Sequence, residues 1–144
     1  MTQHPQPVLE ALTEEARRSI EGPRLPLAVI PFRCGREERK KDRKGWFKKP
    51  RFLNAKPNND FYMHDNRNYR EISREHFVIL FNGKSFVLKD RGSHCGTLVN
   101  ASLYGESAES FTCPLKNGDI IVVGSSESPS KFKFVVHNPE RASA

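Results

Sequence analysis

Cysteine is scarce in this chain and badly placed for cross-linking: three in 144 residues, Cys34, Cys95 and Cys113, an odd set with no C-x-x-C pair. That count excludes a disulfide framework and a zinc knuckle, and leaves reduced thiols as the default. Long apolar runs are missing too. None approaches the length of a bilayer span, and the N-terminal stretch MTQHPQPVLEALTEEARRSI is acidic in its middle, unlike a secretory signal. A cytoplasmic protein with no membrane span is expected. The sequence also lacks a Gly-x-Ser-x-Gly elbow, a Walker loop and metal-ligand spacing, so no catalytic residue, metal or cofactor is expected. Asn100-Ala101-Ser102 fits a glycosylation sequon, which carries no weight without a signal peptide.

What is present suffices for one domain. At 144 residues and 36% hydrophobic, the chain can bury a real core but is short for two domains. The net charge of +7 is concentrated in one place. Between Arg39 and Arg51, RKKDRKGWFKKPR sets Arg39, Lys40, Lys41, Arg43, Lys44, Lys48, Lys49 and Arg51 against the single acid Asp42. This segment carries the whole excess, and everything outside it balances. It reads either as a solvated loop or as an anion-steering surface for nucleic acid, acidic lipid or phosphoprotein, with Trp46 available to stack on a base.

The pattern gives one helix and then strands. In PVLEALTEEARRSIEG, Leu9, Leu12, Ala16 and Ile20 recur at helical spacing, acids come early, Arg17-Arg18 come late, and Gly22-Pro23 stops the run. A peripheral amphipathic helix is expected within an N-terminal extension over residues 1–24. LPLAVIPFRCG reads as an irregular strand at a sheet edge. HFVILF and SFVLKD flank Asn82-Gly83, a pair that closes two-residue hairpins. GTLVN, DIIVVG and KFKFVVH are further short strands. The expected fold is all-β, an antiparallel β-sandwich over residues 25–137 with the basic insertion at about 38–58 and a tail at 138–144. Loops at one end of such a sandwich gather into a site.

Three loops carry polar residues that could converge there: Gly35-Arg36, then Ser73-Arg74-Glu75-His76, then DRGSHCGTLVN from Asp90 to Asn100. With LKNGDIIVVG from Leu115 to Gly124, their order resembles a forkhead-associated (FHA) domain. That family shows Gly-Arg, Ser-x-x-His, Asp-x-Gly-Ser-x-Asn-Gly-Thr-x-Val-Asn-Gly and Leu-x-x-Gly-Asp-x-Ile-x-x-Gly. The resemblance implies an FHA/SMAD-like sandwich that binds phosphothreonine peptides, an adaptor in signalling rather than an enzyme. It implies phosphate contact by Arg36 and Ser73, with Arg74 beside them. The chemistry agrees: a permanently charged planar fork, a short hydroxyl donor and a second cation make a dianion clamp. The resemblance gives architectural roles to Gly35, His76, Gly96, Thr97 and Asn100. The implied partner is a threonine-phosphorylated protein, a Ser/Thr kinase or its substrate.

The chain departs from that pattern at His94, where Ser or Thr is usual, at Cys95, where Asn is usual, and at Ala101, where Gly is usual. In the family that Asn hydrogen-bonds the peptide main chain, and a thiol is a poor substitute. An imidazole at 94 could add a donor to a phosphate. Cys95 has two readings: a redox-sensitive thiol whose pKa is lowered among Arg36, Arg74 and His94, or, as is commoner for a free cysteine, a buried and inert space-filler. The basic insertion also lengthens the gap between Arg36 and Ser73, so it must loop out for the clamp to close. Two alternatives follow: a phosphate-independent scaffold that kept the fold, and nucleic-acid or anion binding through the insertion. A serine–histidine catalytic pair is disfavoured, because Ser73 and His76 lie three apart beside a strand.

Overall fold

The computed structural model describes residues 6–37, 40–42, 45–47, 58–65, 71–106 and 108–136. The order is β1 (Pro7–Ala11), α1 (Glu14–Ile20), β2 (Arg24–Pro26), β3 (Phe32–Arg36), β4 (Lys40–Asp42), β5 (Gly45–Phe47), β6 (Phe61–Met63), β7 (Phe77–Phe81) and β8 (Phe86–Asp90). It continues with β9 (Thr97–Val99), β10 (Ser102–Tyr104), β11 (Thr112–Leu115), β12 (Ile120–Val123) and β13 (Lys131–Val136). One sheet runs β10-β9-β12-β13-β1-β2, the other β11-β8-β7-β3-β6, and β4 and β5 form a separate two-stranded pair. Among the described residues all pairings are antiparallel except β3 with β6. This is the expected sandwich. Among the described residues no helix is long and apolar enough to cross a membrane.

Alternation sends one side of each strand inward. In β13, Phe132 and Phe134 are fully buried while Lys131 and Lys133 point outward. The two sheets lock through aromatic pairs: Phe61 of β6 meets Phe132 edge-on at 6.5 Å, and Phe86 of β8 meets Phe134 at 5.7 Å. Such pairs add directional preference to the burial of their large apolar area.

Several expectations are corrected. The helix expected from Pro7 is a strand followed by a turn: β1 pairs with β13 and β2, and the helix starts only at Glu14. Thr13 caps it, accepting from the Ala16 N–H at 3.2 Å. The N-terminal segment is therefore not a peripheral extension, since β1 lies inside a sheet and Leu9 is fully buried. Leu12, assigned to the buried helical face, is 42% exposed. The proline-broken run splits: Arg24–Pro26 is an edge strand, whereas Phe32–Arg36 lies between β7 and β6. The ladder of β7 and β8 ends at Phe81 and Phe86, and the Asn82 N–H donates to Ser85 O at 3.1 Å, so the two residues enclosed are Gly83 and Lys84 rather than Asn82 and Gly83. There the Asn82 side chain accepts from the Lys84 and Ser85 N–H groups, both at 2.9 Å.

Candidate functional site

The ends of β3, β7 and β8 deliver the three polar loops to one end of the sandwich. β3 finishes on Arg36, whose N–H donates to Ser73 O at 2.9 Å, while the His76 N–H donates to Cys34 O at 2.9 Å. The loop before β7 is thus zipped onto the last residues of β3. Gly35 makes this possible: a Cβ there would sit 1.9 Å from the Arg74 carbonyl oxygen. The Arg36 guanidinium reaches Ile72 O at 3.5 Å, and its charge acts on the half-buried carboxylate of Asp65. Asp65 accepts from the N–H groups of Glu71 and Ile72 at 3.3 and 3.1 Å. Burial raises the Asp65 pKa, against those amides and Arg36.

Ser73 ties two loops together. Its Oγ accepts from the His94 N–H at 2.9 Å, and its own N–H donates to His76 Nδ1 at 3.0 Å. With Nδ1 an acceptor, Nε2 carries the proton and donates to Gly96 O at 2.7 Å. His76 is fully buried, and burial lowers its pKa, so it is held neutral as a bridge between loops. Ser73 contacts that imidazole through its backbone rather than its hydroxyl, which is not a nucleophile–base arrangement. The pair sits in a loop, so this use of the backbone N–H, and not strand alternation, is what keeps hydroxyl and imidazole apart.

Beneath the third loop lies Asp90, to which its motif gave no role. Asp90 Oδ1 accepts from the Gly92 and Ser93 N–H groups at 2.9 and 2.8 Å, and Oδ2 from Ser93 Oγ and Thr97 Oγ1 at 2.6 and 2.7 Å. Asp90 and Thr97 are buried. A fully satisfied carboxylate of this kind fixes the path of residues 90–97. Gly96, at φ 82°, also lies where a Cβ would be 2.6 Å from Leu103 Cδ1. Asn100 braces β12 instead: Oδ1 accepts from the Ile120 N–H and Nδ2 donates to Asp119 Oδ1, both at 2.9 Å.

Arg36, Ser73, Arg74 and His94 are thus brought together at one end. Cys95 does not take the reactive, cation-flanked reading. Its thiol pKa is raised, by burial first and then by the charge of Glu71 and a hydrogen bond to it, with Asp65 adding to the effect. The neighbours that matter are carboxylates, not the cations of that reading. Glu71 was missed because its role is structural: its oxygens accept from Ser125 N at 2.8 Å and Ser125 Oγ at 3.1 Å. Asn59 and Arg91 were missed as well, and no motif marks them. Of the basic run, Lys40 and Lys41 belong to β4, which pairs with β5 in the register Lys40↔Phe47 and Lys41↔Trp46. Arg39, Arg43, Lys44, Lys48, Lys49 and Arg51 lie outside the described residues.

A sequence profile of the FHA domain matches residues 33–124. No curated protein matches the chain in sequence. Solved structures with this fold include Mycobacterium tuberculosis EmbR in complex with a low-affinity phosphopeptide, at 20% identity and a TM-score of 0.58 over 93% of this chain. The chain spans only 25% of EmbR. The FHA domain of CT664 from Chlamydia trachomatis is 18% identical, with a TM-score of 0.55 over 92% of this chain and 99% of that one. The yeast splicing factor Pml1, described with its integration into the RES complex, is 17% identical, with a TM-score of 0.61 over 92% and 81%. These likenesses establish the shared sandwich.

Proposed function

The chain belongs to the FHA-domain family, and from that premise we propose that it is a phosphothreonine-peptide-binding adaptor that joins proteins without catalysis. The observation that carries this reading is the fixed approach of Arg36 to the Ser73-Arg74 turn. The Arg36 N–H is bonded to Ser73 O, and Ser73 Oγ is held by the amide of His94. A guanidinium, a hydroxyl still able to donate, and a second guanidinium at one end of the sandwich are the donor set a dianionic phosphate needs. EmbR, of like fold, is seen with a phosphopeptide. The partner on this reading is a threonine-phosphorylated protein, made so by a Ser/Thr kinase. The basic hairpin β4–β5 starts four residues after Arg36 in the sequence.

A second reading, a scaffold that no longer needs phosphate, draws on Cys95, whose thiol bonds the Glu71 carboxylate where the family has an asparagine free to meet the peptide. A degenerate peptide pool centred on phosphothreonine, presented to the full chain beside its phosphoserine and unphosphorylated counterparts, separates the two. Retention of the phosphothreonine pool above both others supports the adaptor. Equal retention of all three supports the scaffold.

A further inference from the structure

One chain of contacts reaches the clamp from behind. The carbonyl of Arg74, against which Gly35 packs, accepts from Asn59 Nδ2 at 2.6 Å. Asn59 is 3% exposed. Its Oδ1 accepts from Arg91 Nη1 at 2.5 Å, and Arg91 Nη2 donates to Asn58 O at 3.1 Å. The backbone of Arg91 is fixed in turn, its N–H donating to His76 O at 2.8 Å. A guanidinium can only donate, so Arg91 obliges the amide of Asn59 to turn its oxygen inward and its nitrogen toward Arg74.

We propose that Asn59 and Arg91 are positioning residues for the phosphate clamp: Arg91 orients the Asn59 amide, and Asn59 holds the Ser73-Arg74 turn in register with Arg36. This rests on the phosphopeptide reading above. The turn offers two carbonyls, and each is held by a different segment: Ser73 O by the Arg36 N–H, Arg74 O by Asn59. With both in place the turn cannot pivot. Without the second, Arg74, which lies between the two backbone bonds that Ser73 O and the His76 N–H make to β3, has no restraint on its own carbonyl, and the hydroxyl and guanidinium of the turn are held less firmly relative to Arg36. Preorganised donors are worth more to a bound anion than mobile ones, because their ordering is not charged against binding.

The same strut gives the basic insertion a structural role at its return. Asn58, Asn59 and Asp60 lead back into β6, and Asp60 is clamped to the sheet by Arg33, with Nε to Oδ2 at 3.0 Å and Nη2 to Oδ1 at 3.1 Å. Asn58 and Asn59, where the chain returns to β6, are thus the same residues that brace the clamp.

Asn59→Asp keeps the size and the acceptor for Arg91 but cannot donate to Arg74 O. Arg91→Lys keeps the charge but cannot bridge Asn58 O and Asn59 Oδ1 as a fork does. The probe is the phosphothreonine peptide pool on the full chain, with backbone amide resonances of Ser73 and Arg74 followed without ligand. The expected result is an about tenfold weaker retention for Asn59→Asp and a smaller loss for Arg91→Lys. The Ser73 and Arg74 amides should shift or broaden in both, while those of Asn100 and Ile120 stay in place. Unchanged Ser73 and Arg74 resonances in both variants overturn the strut, whatever the ligand does. Wild-type protein that ignores phosphorylation overturns the adaptor reading instead, and the resonances still decide the strut. Should Asn59→Asp fail to fold, the resonances of Arg91→Lys alone decide it.

Discussion

Gly35 and Arg74 meet backbone to backbone: a Cβ on Gly35 would stand 1.9 Å from the Arg74 carbonyl oxygen and 2.6 Å from Asn59 Nδ2. Both neighbours are fixed, one as main chain and one as a buried amide, so neither can retreat cheaply. Gly35→Ala should therefore destabilise the fold by about 3 kcal/mol, the upper range for overpacking a tight site. Urea unfolding of the full chain measures it, and a loss below about 1 kcal/mol would mean the turn can move aside. Phosphopeptide binding should fall with it, even in buffer where the variant remains folded.

Ala101 gives the opposite sign. It follows Asn100 in the turn between β9 and β10, and both residues are left-handed, at φ 72° and 49°. Asparagine tolerates that region and alanine does not, since its Cβ crowds the backbone. Ala101→Gly, the family's residue, should raise stability by about 1 kcal/mol despite the greater freedom glycine gives the unfolded chain. A fall in the urea midpoint would contradict this.

These two positions show what the sequence could and could not convey. The glycine and the departure at Ala101 were legible as members of a motif, and so were Ser73, His76, Gly96 and Thr97. The strand β13 was legible because its apolar residues alternate, and β7, β8, β9 and β12 because they are short apolar runs punctuated by turn residues or carried by a motif. The segment Pro7–Ala11 misled because Leu9, Leu12, Ala16 and Ile20 satisfy a helical period across what is a strand–helix junction. The capping threonine at 13, followed by two glutamates, was the available signal for the true helix start. β6, β10 and β11 are three or four residues long, too short for any period to show. Asn59 and Arg91 could not be found at all, because their partners, the carbonyls of Arg74 and Asn58, one another, and for Arg91 the Glu75 carboxylate, are brought near only by the fold.

His76 makes stability depend on pH. Burial lowers its pKa below the ordinary imidazole value, so the unfolded chain binds the proton more readily than the folded one. Its contribution is therefore complete above about pH 6.5 and is lost as pH falls from there through the folded-state value. Unfolding followed between pH 7.5 and 5 should show stability declining across that window. His76→Asn should start lower and decline less. The carboxylate of Asp60, lowered by Arg33 against the cost of burial, contributes only in the acid range below, so the two are separable.

Arg36→Ala should weaken phosphothreonine-peptide binding by ~2 to 4 kcal/mol, because a charge-assisted contact to a dianion is removed. Calorimetry with equal affinities for wild type and variant would dismiss the clamp. Replacing Lys40, Lys41, Lys48 and Lys49 with Gln should act differently, slowing association at low salt while leaving dissociation nearly unchanged. The difference should vanish at ionic strength near 1 M, where screening reaches only about 3 Å. Association that is equally fast at low salt would make the basic run a solvated loop.

Cys95 carries the last prediction. A cationic setting would favour thiolate, but burial and the Glu71 carboxylate favour the thiol. Alkylation by iodoacetamide near neutral pH should therefore be slow at Cys95, slower than for an unperturbed exposed cysteine, and should rise only in alkali. Glu71→Gln removes the charge while keeping the size, so it should move the alkylation profile to lower pH. If the profile does not move, Glu71 is not what holds the proton. Cys95→Asn then tests function with the same neighbour in place. The new amide can donate to Glu71 and still present its oxygen outward, an acceptor for a peptide N–H that the thiol serves poorly. One such bond adds about 1 kcal/mol, a severalfold gain in retention of the phosphothreonine pool. No gain, with wild-type retention already independent of phosphorylation, would leave the phosphate-independent scaffold as the function of this fold.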